Sequence, residues 1–448
     1  MHKEGYIARE GAGPDDSIMS PAELFYRGAA GRVDLPTRLQ VVHYDKTRVS
    51  EGSRVRSQMA ASGSYADGFL VLSAMKDEPW EPHWSPEVMV RHFVAAGGTL
   101  GRFCQEVAAG WWMAGEARKG RFDVLHAHHN TALIVALLWV MFSNKPLIFD
   151  SHDLFAPNQA NRRSPVRRFC SWLKWGMLQR FVLSRALCGV HVSPGIVRIY
   201  RQLFPDTAHV LLWNLPAFAF SENAAVAENR ESRIPDPDLE KRTILSPRPL
   251  SLVYFGLLTS ERITLALIRT ISSIPGVEFS LYGRIYDQAD DFEEYSTAFH
   301  KLLREVPVRW HGTYTTAQLP GILEQMDMLV HPIPVVSENN KHAMPNKLFE
   351  ACYSGKAVLY SSVFQDMDEL ASKYGFGCSF DPSDGPSATR AIEKLAADPQ
   401  LVENMKENAL RFVHEGPWSA AAYRNRLAEI YGKAAAFSIC PSRVKISE

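Results

Sequence analysis

Short apolar runs alternate with helix-length segments twice along this chain, and that pattern constrains its fold more than any other feature. The first set is LQVVHYD (39–45), GFLVLSAM (68–75), FDVLHAH (122–128), KPLIFDSHD (145–153), ALCGVHVSPG (186–195) and HVLLWN (209–214). The second is PLSLVYFG (249–256), VEFSLYG (277–283), VRWHG (308–312), MDMLVHP (326–332) and KAVLYSS (356–362). Runs of this kind read as strands of parallel sheets whose two faces are covered by the intervening helices. Between the sets, residues 221–249 hold six acids, five bases and four prolines with little to bury, which is linker composition. The pattern predicts an α/β protein made of two Rossmann-like, doubly wound domains, 38–220 and 250–415. An N-terminal extension (1–37) precedes them, and a C-terminal helix and tail (416–448) follow. Two such domains on a polar linker face each other across a cleft, and ligands sit beyond the carboxyl ends of the strands.

Composition narrows the function classes. Lys+Arg and Asp+Glu are both 49, so no overall field favours nucleic acid. The six cysteines are scattered without a C-x-x-C pair, which fits free thiols in a reducing cytosol better than a zinc site or a disulfide framework. The N-terminus has acids and glycines where a signal peptide needs an apolar run. The longest apolar stretch, 132–142, is shorter than the ~18 residues of a spanning helix. A cytoplasmic protein is expected.

Charge is uneven locally. No acid lies between Asp153 and Asp206, an interval holding nine cations. Within it, 162–185 interleaves arginines with Phe169, Trp172 and Trp175, a pattern that fits an anionic membrane surface or a packed helix with a solvated basic face. His126, His128 and His129 invite a metal reading. Alternation along a strand turns neighbours to opposite faces and no fourth ligand is near in sequence, so no metal is expected. The one D-x-D, Asp236-Pro237-Asp238, falls in the linker and reads as a solvated turn.

The stretch HPIPVVSENNKHAMPNKLFEACYSGKAVLYS (331–361) carries the chemistry. Pro345 suits the first residue of a helix and Gly355 its left-handed stop. Lys347 and Glu350, three apart, share one helix face. Free N–H groups at a helix start beside a lysine suit a diphosphate, and a carboxylate one turn on suits a ribose diol. The plain alternative is a surface Lys–Glu pair, which spacing alone leaves open.

The stretch A-x-P-N-K-L-F-E-x6-K-x-V resembles the donor-binding segment of the GT4-like retaining glycosyltransferases (glycosyl transferases group 1). FDVLHAHH, LIFDSHDLF, GVHVSPGIVRIY, VLLWNLP, VYFGLLTSERI and VRWHGTYTTAQLPGILEQMDMLVHP resemble further family segments in the same order, from about 39 to 435. The resemblance implies a GT-B fold and transfer of a sugar from a nucleotide diphosphate donor to a glycan or lipid-linked acceptor, with retention, in polysaccharide or glycoconjugate assembly. It implies that Glu350 holds the ribose and that Lys347, Asn346 and the helix N–H groups hold the diphosphate. Arg262 follows the Gly256 turn as a second cation. Gly283 and Arg284 form the nucleotide loop, and His128 approaches the donor sugar. His152 and Asp153, ending the next strand, are candidates to face the acceptor. No cofactor is expected, because Arg262 and Lys347 can neutralise the leaving diphosphate without a metal.

The chain also departs from the family pattern. His342 stands where many relatives carry an acid, and Leu257 where many carry arginine. KTRVSEGSR replaces the glycine-rich loop after the first strand. His342 and Leu257 keep a non-catalytic nucleotide- or glycan-binding homologue in view, and the shared architecture keeps a nucleotide-sugar epimerase in view.

Overall fold

The computed structural model describes residues 39–45, 53–62, 66–73, 89–92, 98–154, 176–220 and 248–439, apart from 288, 290, 316 and 317. The extension, most of the basic segment 162–185 and nearly all of the linker lie outside the described residues.

The first sheet contains β1 (Leu39–Tyr44), β2 (Ala66–Ser73), β3 (Met89–His92), β4 (Val124–His128), β5 (Leu147–Ser151), β6 (Cys188–His191) and β7 (His209–Leu211). Its spatial order is β3-β2-β1-β4-β5-β6-β7, and every pairing is parallel. The second sheet contains β8 (Leu250–Phe255), β9 (Val277–Tyr282), β10 (Val308–Trp310), β11 (Met328–His331), β12 (Ala357–Ser361) and β13 (Gly377–Phe380). Its order is β10-β9-β8-β11-β12-β13, again parallel throughout. Strands β3 and β13 were not legible as apolar runs. Each sheet reverses direction of growth once, between β1 and β4 and between β8 and β11. Such a switch point opens a crevice at the strand ends.

Helices α1 (Ser53–Ser62), α2 (Gly98–Arg118), α3 (Leu133–Phe142) and α4 (Pro194–Leu203) belong to the first lobe. The second lobe holds α5 (Leu265–Ser272), α6 (Phe292–Leu302), α7 (Leu319–Glu324), α8 (Glu338–His342), α9 (Asn346–Tyr353), α10 (Gln365–Tyr374), α11 (Gly385–Ala397) and α12 (Pro399–His414). Helix α13 (Ala420–Ile439) then returns to the first lobe and packs on α1. Local sequence explains the key starts and stops. In α3, LIVALLWVMF is apolar throughout and buries Leu133, Val135, Ala136 and Trp139 in the first core. The Trp139 indole N–H donates to the carbonyls of Lys145 and Pro146, both at 3.0 Å, and so fixes the entry into β5. Ser193 caps α4 by accepting from the Ile196 N–H, with Pro194 at the first helical position.

Several bonds cross between the lobes. Asp366, at the start of α10, accepts from the Gly195 N–H at 2.7 Å and from His342 Nδ1 at 2.9 Å. Asn339 in α8 receives the Leu154 N–H at 2.8 Å and donates to Asp153 at 3.1 Å. Asn214 donates to the Met344 carbonyl at 3.1 Å.

The loops after β8 and β9 run side by side because two glycines meet. Gly256 and Gly283 have φ of 142° and 138°, and a Cβ on Gly283 would lie 1.7 Å from the Gly256 carbonyl oxygen. The clash is with backbone, which has nowhere to go. Gly283→Ala should therefore cost more than the ~1–3 kcal/mol of a strained φ alone. The check is a lower melting temperature for that variant than for an alanine at exposed Gly120, where a Cβ meets nothing.

Candidate functional site

Chemistry gathers at both switch points. At the second sheet, β11 ends in His331 and α9 starts fifteen residues later, with Lys347 in its first turn. Pro345 has an extended ψ of 144° and stands just outside the helix rather than as its first residue, while Gly355 at φ 65° follows its last turn. The Lys347 ammonium reaches back over the rings of Tyr254 (5.0 Å) and Phe255 (5.5 Å). It lies where a Gly256 side chain would be, since a Cβ there would come 2.0 Å from Nζ. The glycine thus makes room for the cation.

Electrostatics here is strained in one direction. Burial, and then the Arg262 charge, pull the Lys347 ammonium down to about 7, with Glu350 opposing. Burial, Lys347 and Arg262 likewise hold the His331 imidazole well below its ordinary value, so it is neutral. Both ring nitrogens of His331 are buried without a hydrogen-bond partner. Lys347 and Arg262 thus act electrostatically on an unsatisfied imidazole and on each other, and the Glu350 carboxylate opposes them at Lys347. Arg284 is exposed and pairs with Asp287 at 3.5 Å.

At the first sheet, β1, β4 and β5 bring His43, His126, His128, Asp150 and His152 together. Register does this: His43 pairs with His126, and His128 with Asp150. The alternation argument separates only His129. His126 and His128, two apart on one strand, share a face and stack at 4.6 Å, with His43 stacked against both. Asp150 is fully buried and forms a two-pronged ion pair with Arg54 of α1, at 2.8 and 2.9 Å. Gln58, one turn along, adds a third bond at 2.6 Å. Burial alone would push the Asp150 carboxyl up, but Arg54 and the surrounding histidines hold it well below the usual range. Burial lowers the histidines too, and holds His43, His128 and His152 well below their ordinary value.

Two triplets, His43–His126–His128 and His128–Asp150–His152, bring potential metal-ligand atoms within 4.8 Å of one another. The charge balance disfavours a cation there. Both Asp150 oxygens are occupied by Arg54, and a divalent ion would add to that buried positive charge. The groups read as a hydrogen-bonded network.

Two family models match the sequence, a glycosyl transferase 4-like domain over residues 51–213 and glycosyl transferases group 1 over 261–412, together more than half of the chain. The chain belongs to the GT4-like, group 1 glycosyltransferases. Solved structures share its GT-B fold at low identity. Sucrose-phosphate synthase from Thermosynechococcus elongatus is 16% identical with a TM-score of 0.65, over 89% of this chain and 100% of that one. HepE from Anabaena, solved with UDP and glucose, is 15% identical with a TM-score of 0.64, over 88% and 99%. WaaG, a glycosyltransferase involved in lipopolysaccharide biosynthesis, is 13% identical with a TM-score of 0.59, over 87% and 99%. No curated protein matches the sequence.

In this glycosyltransferase the residues singled out from sequence fall into two groups. Gly256, Arg262, Asn346, Lys347 and Glu350 gather about the second switch point, with Gly283 directly beneath. His128 and His152 belong to the first. Asp153 is engaged by Asn339 across the lobes. His342, at the position of the missing acid, is bonded to Asp366. Sequence reasoning missed His43, Arg54, Asp150 and His331. His43, Asp150 and His331 lie at or next to the carboxyl ends of their strands, a signal that was available. Arg54 had none, since its role depends on where α1 packs. Asp150→Asn should cost about 3–5 kcal/mol by leaving Arg54 uncompensated. Denaturant unfolding checks this, and the double variant Arg54→Met/Asp150→Leu should recover most of the loss.

Proposed function

We propose that this glycosyltransferase moves a sugar from a nucleotide diphosphate donor to a glycan or lipid-linked acceptor, with retention at the anomeric carbon. The observation that carries the reading is the meeting of Lys347, the start of α9 and the unpartnered His331 at the second switch point. A diphosphate there would meet the Lys347 ammonium, the first N–H groups of α9 and the charge of Arg262, all aimed at the leaving group on which negative charge grows. Glu350, one turn into the helix, suits a ribose diol. These cations do the work without a metal. That HepE was solved with UDP and glucose supports a nucleotide-sugar donor. WaaG acts in lipopolysaccharide biosynthesis, which supports assembly of a glycoconjugate.

A peripheral site at an anionic membrane completes the proposal. Of the basic segment, only residues from 176 onward are described; Met177 is exposed, and Arg185 lies 3.7 Å over the ring of exposed Phe181. No helix among the described residues is long and apolar enough to cross a membrane. Salt-sensitive co-sedimentation with anionic vesicles is expected, and its absence would leave the acceptor glycan alone.

One of the UDP-, GDP-, ADP- or dTDP-linked sugars should raise the melting temperature, since a ligand of the native state stabilises it. Glu350→Ala should weaken that ligand by about 1–3 kcal/mol in a titration; unchanged affinity removes Glu350 from the site. Binding without transfer or donor hydrolysis would make the chain a non-catalytic binder, and donor converted without an acceptor would make it an epimerase.

Lys347 gives the site a pH signature. Above about 7 the free protein carries a neutral Lys347. A diphosphate favours the ammonium, so binding takes up a proton there and affinity falls as pH rises. Below that pH the amine is already charged and the uptake vanishes. Calorimetry in buffers of different ionisation enthalpy measures it, and Lys347→Met should abolish it.

A further inference from the structure

One face of the first lobe is apolar where it meets solvent. Helix α2 carries no charge from Val107 to Gly115, and α3 carries none at all. The two helices touch because Gly110 has no side chain: a Cβ there would come 2.7 Å from Leu138 Cδ1 and 3.3 Å from Val135 Cα. Their outward sides therefore join into one surface. On it Trp111 is 50% exposed and stacks on the half-buried Phe142 ring at 4.3 Å, and the neighbouring Met141 is 51% exposed. Apolar side chains exposed singly need no explanation, whereas a stacked aromatic pair beside an open methionine marks an interaction surface.

The rim of this surface is cationic for a reason of depth. Arg118, seven residues past Trp111 and so on the same line of α2, is exposed. Lys119 and Arg121 follow with side chains 64% and 68% exposed, while their shared partner Glu116 is only 8% exposed. The cations lie outside and the acid inside, three against one. Lys145, three residues past Phe142, continues the rim beside Asp123. A neutral aromatic patch edged by arginine and lysine matches the boundary of an anionic bilayer, where indole rings settle at headgroup depth and cations meet lipid phosphates.

We infer that the outward face of α2 and α3 docks on an anionic lipid bilayer. Trp111, Met141 and Phe142 enter the headgroup region, and Arg118, Lys119 and Arg121 rest on its phosphates. The inference rests on the membrane reading above and gives it a surface outside the basic segment 162–185. Helix α3 ties that surface to the chemistry. His128 ends β4 five residues before α3 begins, and Phe142 ends α3 about 15 Å further on. A bilayer on the patch therefore lies one helix length from the first switch point, near enough for a lipid-linked acceptor to reach the crevice without leaving its membrane.

Two measurements on the full chain test this. The first is co-sedimentation with vesicles of mixed phosphatidylglycerol and phosphatidylcholine. Trp111→Ser should weaken partitioning about tenfold, the scale of withdrawing a half-exposed indole. Arg118→Glu should weaken it roughly tenfold at low salt and little at high salt. A retained cooperative melt shows that both variants fold. The second places an environment-sensitive dye on Cys104, which is exposed and seven residues before Trp111 on the same line of α2. Cys188 and Cys352 are buried, and Cys170→Ser, Cys378→Ser and Cys440→Ser remove the remaining thiols. The dye emission should shift to the blue with the mixed vesicles and stay in place with pure phosphatidylcholine. Vesicle binding with an unshifted dye, or Trp111→Ser binding at wild-type strength, overturns this face alone and leaves the basic segment as the contact. Binding to no vesicle overturns the membrane reading and the face with it. A dye already shielded without lipid overturns the bilayer as occupant, in favour of a second copy if light scattering finds a dimer and of a segment of the chain itself if it finds a monomer.

Discussion

The ion pair between Arg54 and Asp150 ties more of this molecule together than any other contact. It joins α1 to the middle of the first sheet, and the same guanidinium reaches the Trp213 carbonyl and Asn214 at 3.2 and 2.8 Å. Asn214 then bonds to Met344, just before the helix that carries Lys347. One buried charge pair thus fixes the end of the first lobe, and through it the approach of the second. It also keeps Asp150 ionised. An ion pair this deep contributes little net stability by itself, because desolvation offsets the attraction. Its contribution is to leave only one arrangement free of an uncompensated charge.

The two lobes divide the chemistry by sign. The second lobe gathers cations and helix N–H groups at its switch point and suits an anionic leaving group. The first lobe gathers imidazoles around the Asp150 carboxylate, which Arg54 compensates. The departure at residue 342 fits this division. His342 meets Asp366, and Asp366 accepts from the Gly195 N–H at the start of α4, so the bond across the crevice is made by Asp366 with His342 beside it. The return of α13 matters for the same reason. It delivers Tyr431 from the far end of the sequence to a place between His126 and His43, and the Trp418 carbonyl just before it accepts from the Trp213 indole at 3.1 Å.

Much of the fold was legible in advance. Eleven apolar runs correspond to β1, β2, β4–β9 and β10–β12, because a strand buried on both faces has no choice but to be apolar. Strands β3 (MVRH) and β13 (GCSF) were not, since short mixed tetrapeptides carry no such signal. At the second switch point Lys347 and Glu350 could be read because helix spacing relates them locally. His331 could not, because its isolation among cations is a property of what packs around it. The polar cluster of the first lobe was less legible, because its members His43, His126, His128, Asp150, His152 and Tyr431 span nearly four hundred positions.

The sequence by itself determined the alternation of buried strands and covering helices, the break between two lobes, and the helix start that carries a lysine and a glutamate on one face. These are consequences of periodicity and local capping, which act over a few residues. Tertiary structure alone decided which polar groups are buried beside which. Parallel register set His43 opposite His126 and His128 opposite Asp150, the packing of α1 supplied the cation, and the returning helix supplied the phenol. Protonation follows from that company, because in a dry interior burial and the nearest fixed charge govern a group's state, and nearness in space is not written in sequence separation.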